Sequence, residues 1–174
     1  PNLLSVWGSD VHLVPLQSAY KRRHVQKNLA AADYLAATGH ALKEQTQKVL
    51  GGKRPIFVTP FGVDCSVFIP RKLEAKKRGI IRIGTIKRMK PVYGISTLIR
   101  AFAVALEAGL ESAELVLVGG GPQENDLKQL ALELNIHKQV KFVGSIPHAE
   151  VPGMLSTFDI YMALSISESF GVAV

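Results

Sequence analysis

The clearest indication of the fold is Glu114-Leu115-Val116-Leu117-Val118-Gly119-Gly120-Gly121-Pro122, in which a run of four consecutive apolar residues passes directly into three glycines and a proline. The run predicts a short buried strand, and the glycines predict a tight turn at its end. Residues 123–134 follow with apolar side chains at the spacing of one helix face. Pro122 suits the first position of that helix, because the amide hydrogen that proline lacks would have no partner there. The segment therefore predicts a strand–turn–helix unit.

The same alternation continues on both sides of this unit. Further strands are predicted at residues 3–7, 34–38, 56–59, 79–86, 140–144 and 160–164. Further helices are predicted at residues 16–31, 40–50, 96–110 and 151–156. Strands that alternate with helices at this spacing form a parallel sheet, so the sequence predicts an α/β protein.

Residues 65–78 interrupt the alternation with Pro70 and a run of charges that has no apolar periodicity. We therefore predict an interdomain linker at residues 65–78. It would join the last strand–helix units of one Rossmann-like domain, residues 1–64, to a second Rossmann-like domain, residues 79–174. The chain begins without Met and stops inside an apolar run, so we expect it to be a piece of a longer protein.

The net charge of +7 is unevenly distributed along the 174 residues. Residues 71–90 carry nine basic side chains and one acidic one, whereas residues 91–174 carry four basic and nine acidic ones. A basic cluster of this density indicates an anionic partner, such as a phosphate, a nucleic acid or an anionic lipid. A solvated linker is the simpler account of residues 71–78. Residues 87–90 differ, because they directly follow a predicted strand.

The composition also argues against several kinds of site. One cysteine, Cys65, excludes an internal disulfide and suits a reducing compartment such as the cytoplasm. The five histidines show no metal-ligand spacing, so we expect no metal held by protein ligands and no cofactor. No apolar run reaches the 18 or so residues that a membrane span needs. The start of the chain has no basic segment that would suggest a signal peptide.

The glycine run does not match the common nucleotide-binding fingerprints. A dinucleotide site has the pattern G-x-G-x-x-G, and Glu124 stands where its third glycine should be. A P-loop would need a Lys-Ser or Lys-Thr pair, which is absent. Two uses remain open: the glycine amides can face a ligand, or the glycines can allow close packing.

Four loops are predicted to meet at one edge of the second sheet, because the strands of a parallel sheet end together. One carries Lys87, Arg88 and Lys90, and the others are residues 119–121, 144–146 and 167–171. Cations and amides bind a diphosphate, while the carboxylate of Glu168 accepts hydrogen bonds from sugar hydroxyls. The pattern indicates group transfer from a nucleotide-diphosphate compound. The alternative for Glu168 is a solvated acid in the first turn of a helix.

Several segments, taken in order, resemble the retaining group 1 (GT4-type) glycosyltransferases of the GT-B fold. They are residues 116–122, Val140-Lys141-Phe142-Val143-Gly144, Val151-Pro152 with Asp159, and Glu168-Ser169-Phe170-Gly171. Pro60-Phe61-Gly62-Val63-Asp64 resembles the stretch that joins that family's two domains, and Trp7-Gly8-Ser9-Asp10 resembles a loop of its N-terminal domain. The resemblance implies a GT-B-type chain that holds the end of the N-terminal domain and most of the donor-binding domain.

The resemblance also implies roles for individual residues. Glu168 matches the first Glu of an E-x7-E motif and would be the catalytic carboxylate on the donor sugar. The diphosphate and sugar would be held by Lys87, Arg88, Lys90, Gly119, Gly120, Gly121, Ser169, Phe170 and Gly171. Gly144, Ser145 and Ile146 would lie near the nucleotide base. Which cation contacts the diphosphate stays open, because Thr85 and Tyr93 stand where the family usually has its basic pair. The second Glu would fall two residues beyond Val174, so we expect the chain alone to be inactive.

The expected partners are a nucleotide-sugar donor and a saccharide or lipid-linked acceptor. The alternative is a non-catalytic Rossmann-like domain that binds a nucleotide or phosphate. Nucleic acid is not expected, because the basic residues 71–90 contain no aromatic side chain. The helix with Lys21, Arg22, Arg23 and Lys27 is either a solvated face or a contact with an anionic membrane. We expect a cytoplasmic protein, with peripheral contact at the inner face of the membrane as the second possibility.

Overall fold

The computed structural model describes residues 1–69 and 79–168. Its contacts divide the described chain into a first unit, Pro1–Val63 together with Glu168, and a second unit, Asp64–Ser167. Most of the predicted linker, residues 70–78, lies outside the described residues. Each unit is a parallel α/β sheet with helices, so the predicted Rossmann-like α/β fold class is confirmed.

The first unit is built on a three-stranded parallel sheet in the order β1-β2-β3. Its strands are β1 Leu3–Val6, β2 Tyr34–Ala37 and β3 Ile56–Val58. Its helices are α1 Ser9–His12, α2 Val14–Gln17, α3 Ala19–Ala31 and α4 His40–Leu50. The central strand β2 is buried from Leu35 to Ala37, and Leu35 and Ala37 pack with Leu29 of α3 and Leu42 of α4.

Arg54 connects the end of α3 to the start of β3. Its guanidinium group donates hydrogen bonds to the carbonyls of Leu29, Ala30, Ala32 and Asp33, at distances from 2.7 to 3.3 Å. The last carbonyls of a helix have no partner within the helix, and an arginine fork can satisfy several of them at once. Arg54 is therefore a structural residue.

The helix predicted at residues 16–31 is divided in two. Ser18 takes an extended conformation with φ −167° and ψ 158°, and its hydroxyl accepts a hydrogen bond from the amide of Lys21. Serine competes with the helix in this way because its hydroxyl can satisfy an open amide at a helix start. Ser18 thus ends α2 and caps α3. The short helix α1 was not predicted, and α2 begins two residues before the predicted helix.

The second unit has a four-stranded parallel sheet in the order β6-β5-β4-β7. The strands are β4 Ile81–Ile86, β5 Ala113–Val118, β6 Val140–Gly144 and β7 Ile160–Tyr161. The helices are α5 Ile95–Glu107, α6 Glu124–Glu133 and α7 Val151–Leu155, with 3-10 turns at Pro91–Tyr93 and His148–Glu150. The strand β4 begins two residues later than predicted and β7 ends three residues earlier, and every predicted element of this unit agrees within three residues at each end.

The core of the second unit lies between α5, α6 and one face of the sheet. Ile99 and Phe102 of α5 pack with Leu115 and Leu117 of β5 and with Leu127 of α6. Every residue of β5 is buried, as expected for the centre of a sheet that is covered on both faces. This core holds the ends of β4, β5 and β6 side by side.

Candidate functional site

A cleft lies at the carboxyl edge of the second sheet, where β4, β5 and β6 end next to one another. Its volume is about 520 Å³. It is lined by Ile86, Lys87, Arg88, Val118, Gly119, Gly120, Gly121, Ser145, Ile146 and Val151. The structure thus brings together three of the four loops that were predicted to meet at this edge.

The cationic loop after β4 is fastened to the glycine loop after β5. The amide of Lys87 donates to the carbonyl of Val118 at 3.0 Å, and the amide of Met89 donates to the carbonyl of Gly120 at 3.0 Å. The side chain of Met89 is buried in the core of the second unit and anchors the loop there. The backbone that carries Lys87 and Arg88 is therefore fixed by hydrogen bonds and packing within the protein, without a bound ligand.

The two lysines of this loop differ in their surroundings. The Lys87 ammonium group lies 5.6 Å from the centre of the Tyr93 ring, a distance at which the ring attracts a cation. Lys90 is exposed and begins the 3-10 turn, where its carbonyl accepts a hydrogen bond from the Tyr93 amide. Lys90 is not among the residues that line the cleft. The geometry therefore favours Lys87 and Arg88 over Lys90 as the cations of the site.

The three glycines have two different tasks. Gly119 has φ +126°, and a Cβ there would overlap the carbonyl oxygen of Lys87. At Gly121 a Cβ would lie 2.5 Å from the carbonyl oxygen of Met89. Both glycines allow the loop after β4 to pack closely against the glycine loop. The Gly119 amide already has a partner within the protein, since it donates to the carbonyl of Gly144 at 2.7 Å.

The amides of Gly120 and Gly121 remain available to a ligand. Within residues 1–69 and 79–168, no acceptor bonds to either of them. A Cβ on Gly120 would meet only side-chain atoms, with the Ser145 hydroxyl at 3.1 Å and a Glu124 carboxylate oxygen at 3.8 Å. Close packing therefore explains Gly119 and Gly121, while the amides of Gly120 and Gly121 are the ones left open to a ligand.

The loop after β6 closes the cleft beside the glycines. Gly144 has φ +80° and supplies the carbonyl that accepts the Gly119 amide, so it supports the site without lining the cleft. Ser145 and Ile146 do line the cleft. The nearest acidic side chain, Glu124, forms a 2.7 Å ion pair with Lys128 one helical turn away. This pair reduces the negative charge beside the glycine amides.

Near the amino ends of the strands, at the edge opposite the cleft, a buried carboxylate bridges three strands. Glu114 of β5 pairs with Arg82 of β4 and with Lys141 of β6. Burial by itself would raise the pKa of Glu114, but hydrogen bonds from Lys141 and Arg82, together with their positive charges, outweigh burial and lower that pKa. The carboxylate therefore stays ionised and ties β4, β5 and β6 together.

Other predicted residues are not among those that line the cleft, or lie outside the described residues. Glu168 is exposed, and its contacts group it with the first unit. Ser169, Phe170 and Gly171 lie outside the described residues. Three apolar residues of the cleft, Ile86, Val118 and Val151, were not predicted as site residues. Their position at the end of a strand or the start of a helix is the signal that could have identified them.

Two features are absent from residues 1–69 and 79–168. No group of three or more His, Cys, Asp or Glu side chains in these ranges could hold a metal ion. No helix in the same ranges has both the length and the apolar character needed to cross a bilayer.

Comparisons with known proteins agree with this fold. The chain is 26% identical over 159 residues to a phosphatidylinositol N-acetylglucosaminyltransferase subunit of Arabidopsis thaliana, with 90% of this chain and 35% of that protein covered. It is 26% identical to TuaC of Bacillus subtilis, a putative teichuronic acid biosynthesis glycosyltransferase, with 100% and 43% covered. The chain thus spans well under half of these relatives.

Solved structures show the same fold. HepE of Anabaena, in complex with UDP and glucose, superimposes with a TM-score of 0.80 at 20% identity, over 98% of this chain and 48% of HepE. The C-terminal domain of LpcC of Francisella tularensis, a glycosyl transferase group 1 family protein, gives a TM-score of 0.56 at 26% identity, over 64% and 63% of the two chains. The family model for glycosyl transferases group 1 matches residues 69–174. The chain therefore belongs to the glycosyl transferases group 1 family.

Proposed function

We propose that this chain forms part of a glycosyltransferase that moves a sugar from a nucleotide-diphosphate sugar to an acceptor. One observation carries the proposal: Lys87, Arg88 and the open amides of Gly120 and Gly121 surround one cleft at the carboxyl ends of parallel strands. Open α/β sheets bind ligands at this edge. HepE, whose fold is similar, was solved with UDP and glucose, which supports the same kind of donor here.

The proposed reaction breaks the bond between the anomeric carbon of the sugar and the diphosphate oxygen. The bonding electrons stay with the diphosphate, whose negative charge therefore grows as the bond breaks. Lys87, Arg88 and the amides of Gly120 and Gly121 would stabilise that charge, as preorganised donors do in a site that excludes water. The acceptor hydroxyl forms the new bond to the anomeric carbon, and its proton goes to the departing diphosphate.

The proposal also covers the stereochemistry of transfer, the need for a metal or cofactor, and the activity of the chain alone. The configuration at the anomeric carbon is retained, as the resemblance to retaining GT4-type enzymes implies. The cations and amides of the chain take the place of a metal ion or cofactor at the diphosphate. The chain alone does not complete the reaction, because it spans 35% of the Arabidopsis relative and 43% of TuaC.

A binding experiment tests the donor site on this chain. We expect UDP, added alone in titration calorimetry, to bind to the 174-residue protein. Arg88→Ala and Lys87→Ala should each weaken binding by at least about tenfold, because a hydrogen bond to a charged group contributes about 1.5–3 kcal/mol. Lys138→Ala is the matched control, since Lys138 is an exposed lysine that precedes β6 at the opposite edge of the sheet. Equal affinity in all four proteins would contradict the proposed site.

We assign Glu168 to the donor sugar, whose hydroxyls would donate hydrogen bonds to its carboxylate. The supports are its exposure and its place in the Glu168-Ser169-Phe170-Gly171 motif. Glu168→Ala in the full-length protein should remove most of the transfer activity. Turnover at the wild-type rate with a nucleotide-sugar donor would contradict this role. Donor binding without any transfer by the full-length protein would favour the non-catalytic alternative.

The proposed acceptor is a saccharide or a lipid-linked saccharide, taken up in the cytoplasm at the inner face of a membrane. The support is a surface of the first unit that we name the α2–α3 surface: Leu13, Leu16, Tyr20, Arg23 and Lys27. Its three apolar side chains are 60% to 79% exposed. No acidic residue occurs between Val11 and Ala32. Apolar side chains beside unbalanced positive charge suit an anionic bilayer.

A further inference from the structure

Two exposed aromatic rings meet at the carboxyl edge of the first sheet. Trp7 directly follows β1, and Phe61 follows β3 by three residues. Their ring centres are 5.1 Å apart and their planes are at 84°, the edge-to-face arrangement that aromatic pairs prefer. Because β2 lies between β1 and β3, the two side chains meet across the end of β2. The donor cleft of the second unit does not use them.

Trp7 is held in place although 61% of it is exposed. Its indole nitrogen donates to the Ser5 hydroxyl at 3.1 Å. The carboxylate of Asp10 accepts hydrogen bonds from the amides of Trp7 at 3.1 Å and Gly8 at 2.7 Å. A large apolar ring that is both exposed and fixed is typical of a binding surface, since less freedom is lost when a ligand binds to it.

Polar side chains lie at the same edge of the sheet as the ring pair. The hydroxyl of Thr38, at the end of β2, is buried and has no hydrogen-bond partner among the described residues. Ser9 and His40, at the starts of α1 and α4, are exposed at the same edge. Binding sites for small molecules combine apolar rings with a few polar groups in this way. The edge therefore suits a ligand with an apolar face and a polar rim.

The charges at this edge argue against a nucleotide. Residues 1–20, 34–42 and 55–64, which contain the loops of the edge, have neither lysine nor arginine. The carboxylate of Asp10, in the first turn of α1, accepts a hydrogen bond from the Trp7 amide and would repel a phosphate. A pyranose ring has a C–H face that packs on an aromatic ring, hydroxyls around it, and no charge.

We infer that Trp7 and Phe61 form a stacking site for a pyranose ring of the acceptor. The inference rests on the proposed glycosyl transfer, because an acceptor sugar is the second substrate that such a reaction needs. It adds a named site and a ligand class to that proposal. Trp7 and Phe61 are binding residues in this inference, and no chemical step is assigned to them.

The test uses the fluorescence of Trp7, which is the one tryptophan of the 174-residue chain. We expect titration with a panel of methyl pyranosides and short oligosaccharides to shift the emission of Trp7 to shorter wavelength. The shift should saturate, and bound saccharide should protect Trp7 from acrylamide quenching. Phe61→Ala should weaken this binding by about two- to tenfold, since an aromatic contact adds about 0.5–1.5 kcal/mol beyond the area it buries. Trp7→Ala, measured by calorimetry, should abolish it.

A second exposed ring pair in the same unit provides the control. Tyr34 and Phe57 lie 6.4 Å apart within β2 and β3, and each is more than half exposed. The double variant Tyr34→Ala/Phe57→Ala should bind saccharide as the wild type does. Circular dichroism checks that each variant is folded, and Trp7→Phe, which keeps a ring, should bind with intermediate affinity.

The outcomes separate this inference from the proposed function. If no saccharide changes the emission of Trp7 while UDP still binds to the second unit, the stacking site is wrong and the donor site stands. If UDP protects Trp7 from acrylamide quenching and no saccharide does, the edge of the first sheet binds a nucleotide base and the inference is overturned. If neither UDP nor a saccharide binds, both proposals fail. Saccharide binding that Phe61→Ala weakens, in a chain that also binds UDP, supports both.

Discussion

Gly120 and Gly121 are neighbours, but a methyl group at each would meet different atoms. At Gly120 it would meet the Ser145 hydroxyl, which can rotate away. At Gly121 it would meet the backbone of Met89, which is buried and cannot move without the core. We therefore expect Gly120→Ala to narrow the cleft and weaken UDP binding severalfold, with little change in the melting temperature.

Gly121→Ala should instead lower the stability of the second unit, by about 1–3 kcal/mol, the usual cost of overfilling a packed site. Thermal melting followed by circular dichroism measures that loss, and calorimetry with UDP measures the affinity of both variants. If Gly120→Ala melts earlier than Gly121→Ala, the assignment of the two glycines is reversed.

The strands β4, β5 and β6 depend on one carboxylate, Glu114. Its pKa is lowered in the folded protein, so its ion pairs stabilise the fold at pH values above the ordinary carboxyl pKa of 4.5. That contribution is lost as the pH falls through the lower, folded-state pKa. Glu114→Gln should cost about 2 kcal/mol at pH 7, because Arg82 loses its charged partner.

The pH dependence identifies the cause of that loss. Chemical unfolding of the wild type between pH 7 and pH 3 should show stability falling below about pH 4.5, and Glu114→Gln should show a smaller fall. Glu111→Gln removes the same charge from an exposed position before β5 and serves as the control. Parallel pH curves for all three proteins would show that the ion pairs of Glu114 do not contribute.

In the molecule as a whole, positive charge is concentrated in a few segments, and one of them lies on the α2–α3 surface. We expect the protein to sediment with vesicles of phosphatidylcholine that contain 30% phosphatidylglycerol, and to stay in solution with pure phosphatidylcholine. Arg23→Glu/Lys27→Glu should reduce binding at least tenfold, since each basic residue near an anionic surface contributes about 1 kcal/mol.

Lys48→Glu/Lys53→Glu makes the same change of charge at exposed positions near the end of α4 and controls for net charge. Leu16→Ser tests the apolar part of the α2–α3 surface, because Leu16 is 78% exposed. If both double variants lose binding equally, net charge is responsible and the proposed surface is wrong.

The order and type of most elements could be predicted from the sequence. Helix and strand periodicities are local properties, and they identified all seven strands of the described residues. Ser18 shows the limit of such patterns: residues 16–31 are continuous in helical spacing, but one hydroxyl that caps α3 divides them. For the candidate site, the loops were predicted, but the sequence did not separate the residues that line the cleft from Lys90 and Gly144, which do not line it. Lys87 and Lys90 are equivalent in the sequence, and only the cleft distinguishes them.

The sequence by itself determined the α/β class, the strand-end loops and the family, because these depend on apolar spacing and on short motifs. The tertiary structure alone decided which residues meet. The strand order β6-β5-β4-β7 places Arg82, Glu114 and Lys141 in one ion-paired group, and the order β1-β2-β3 places Trp7 beside Phe61. Strand order depends on how segments distant in the sequence pack together, and local residue patterns do not determine that packing.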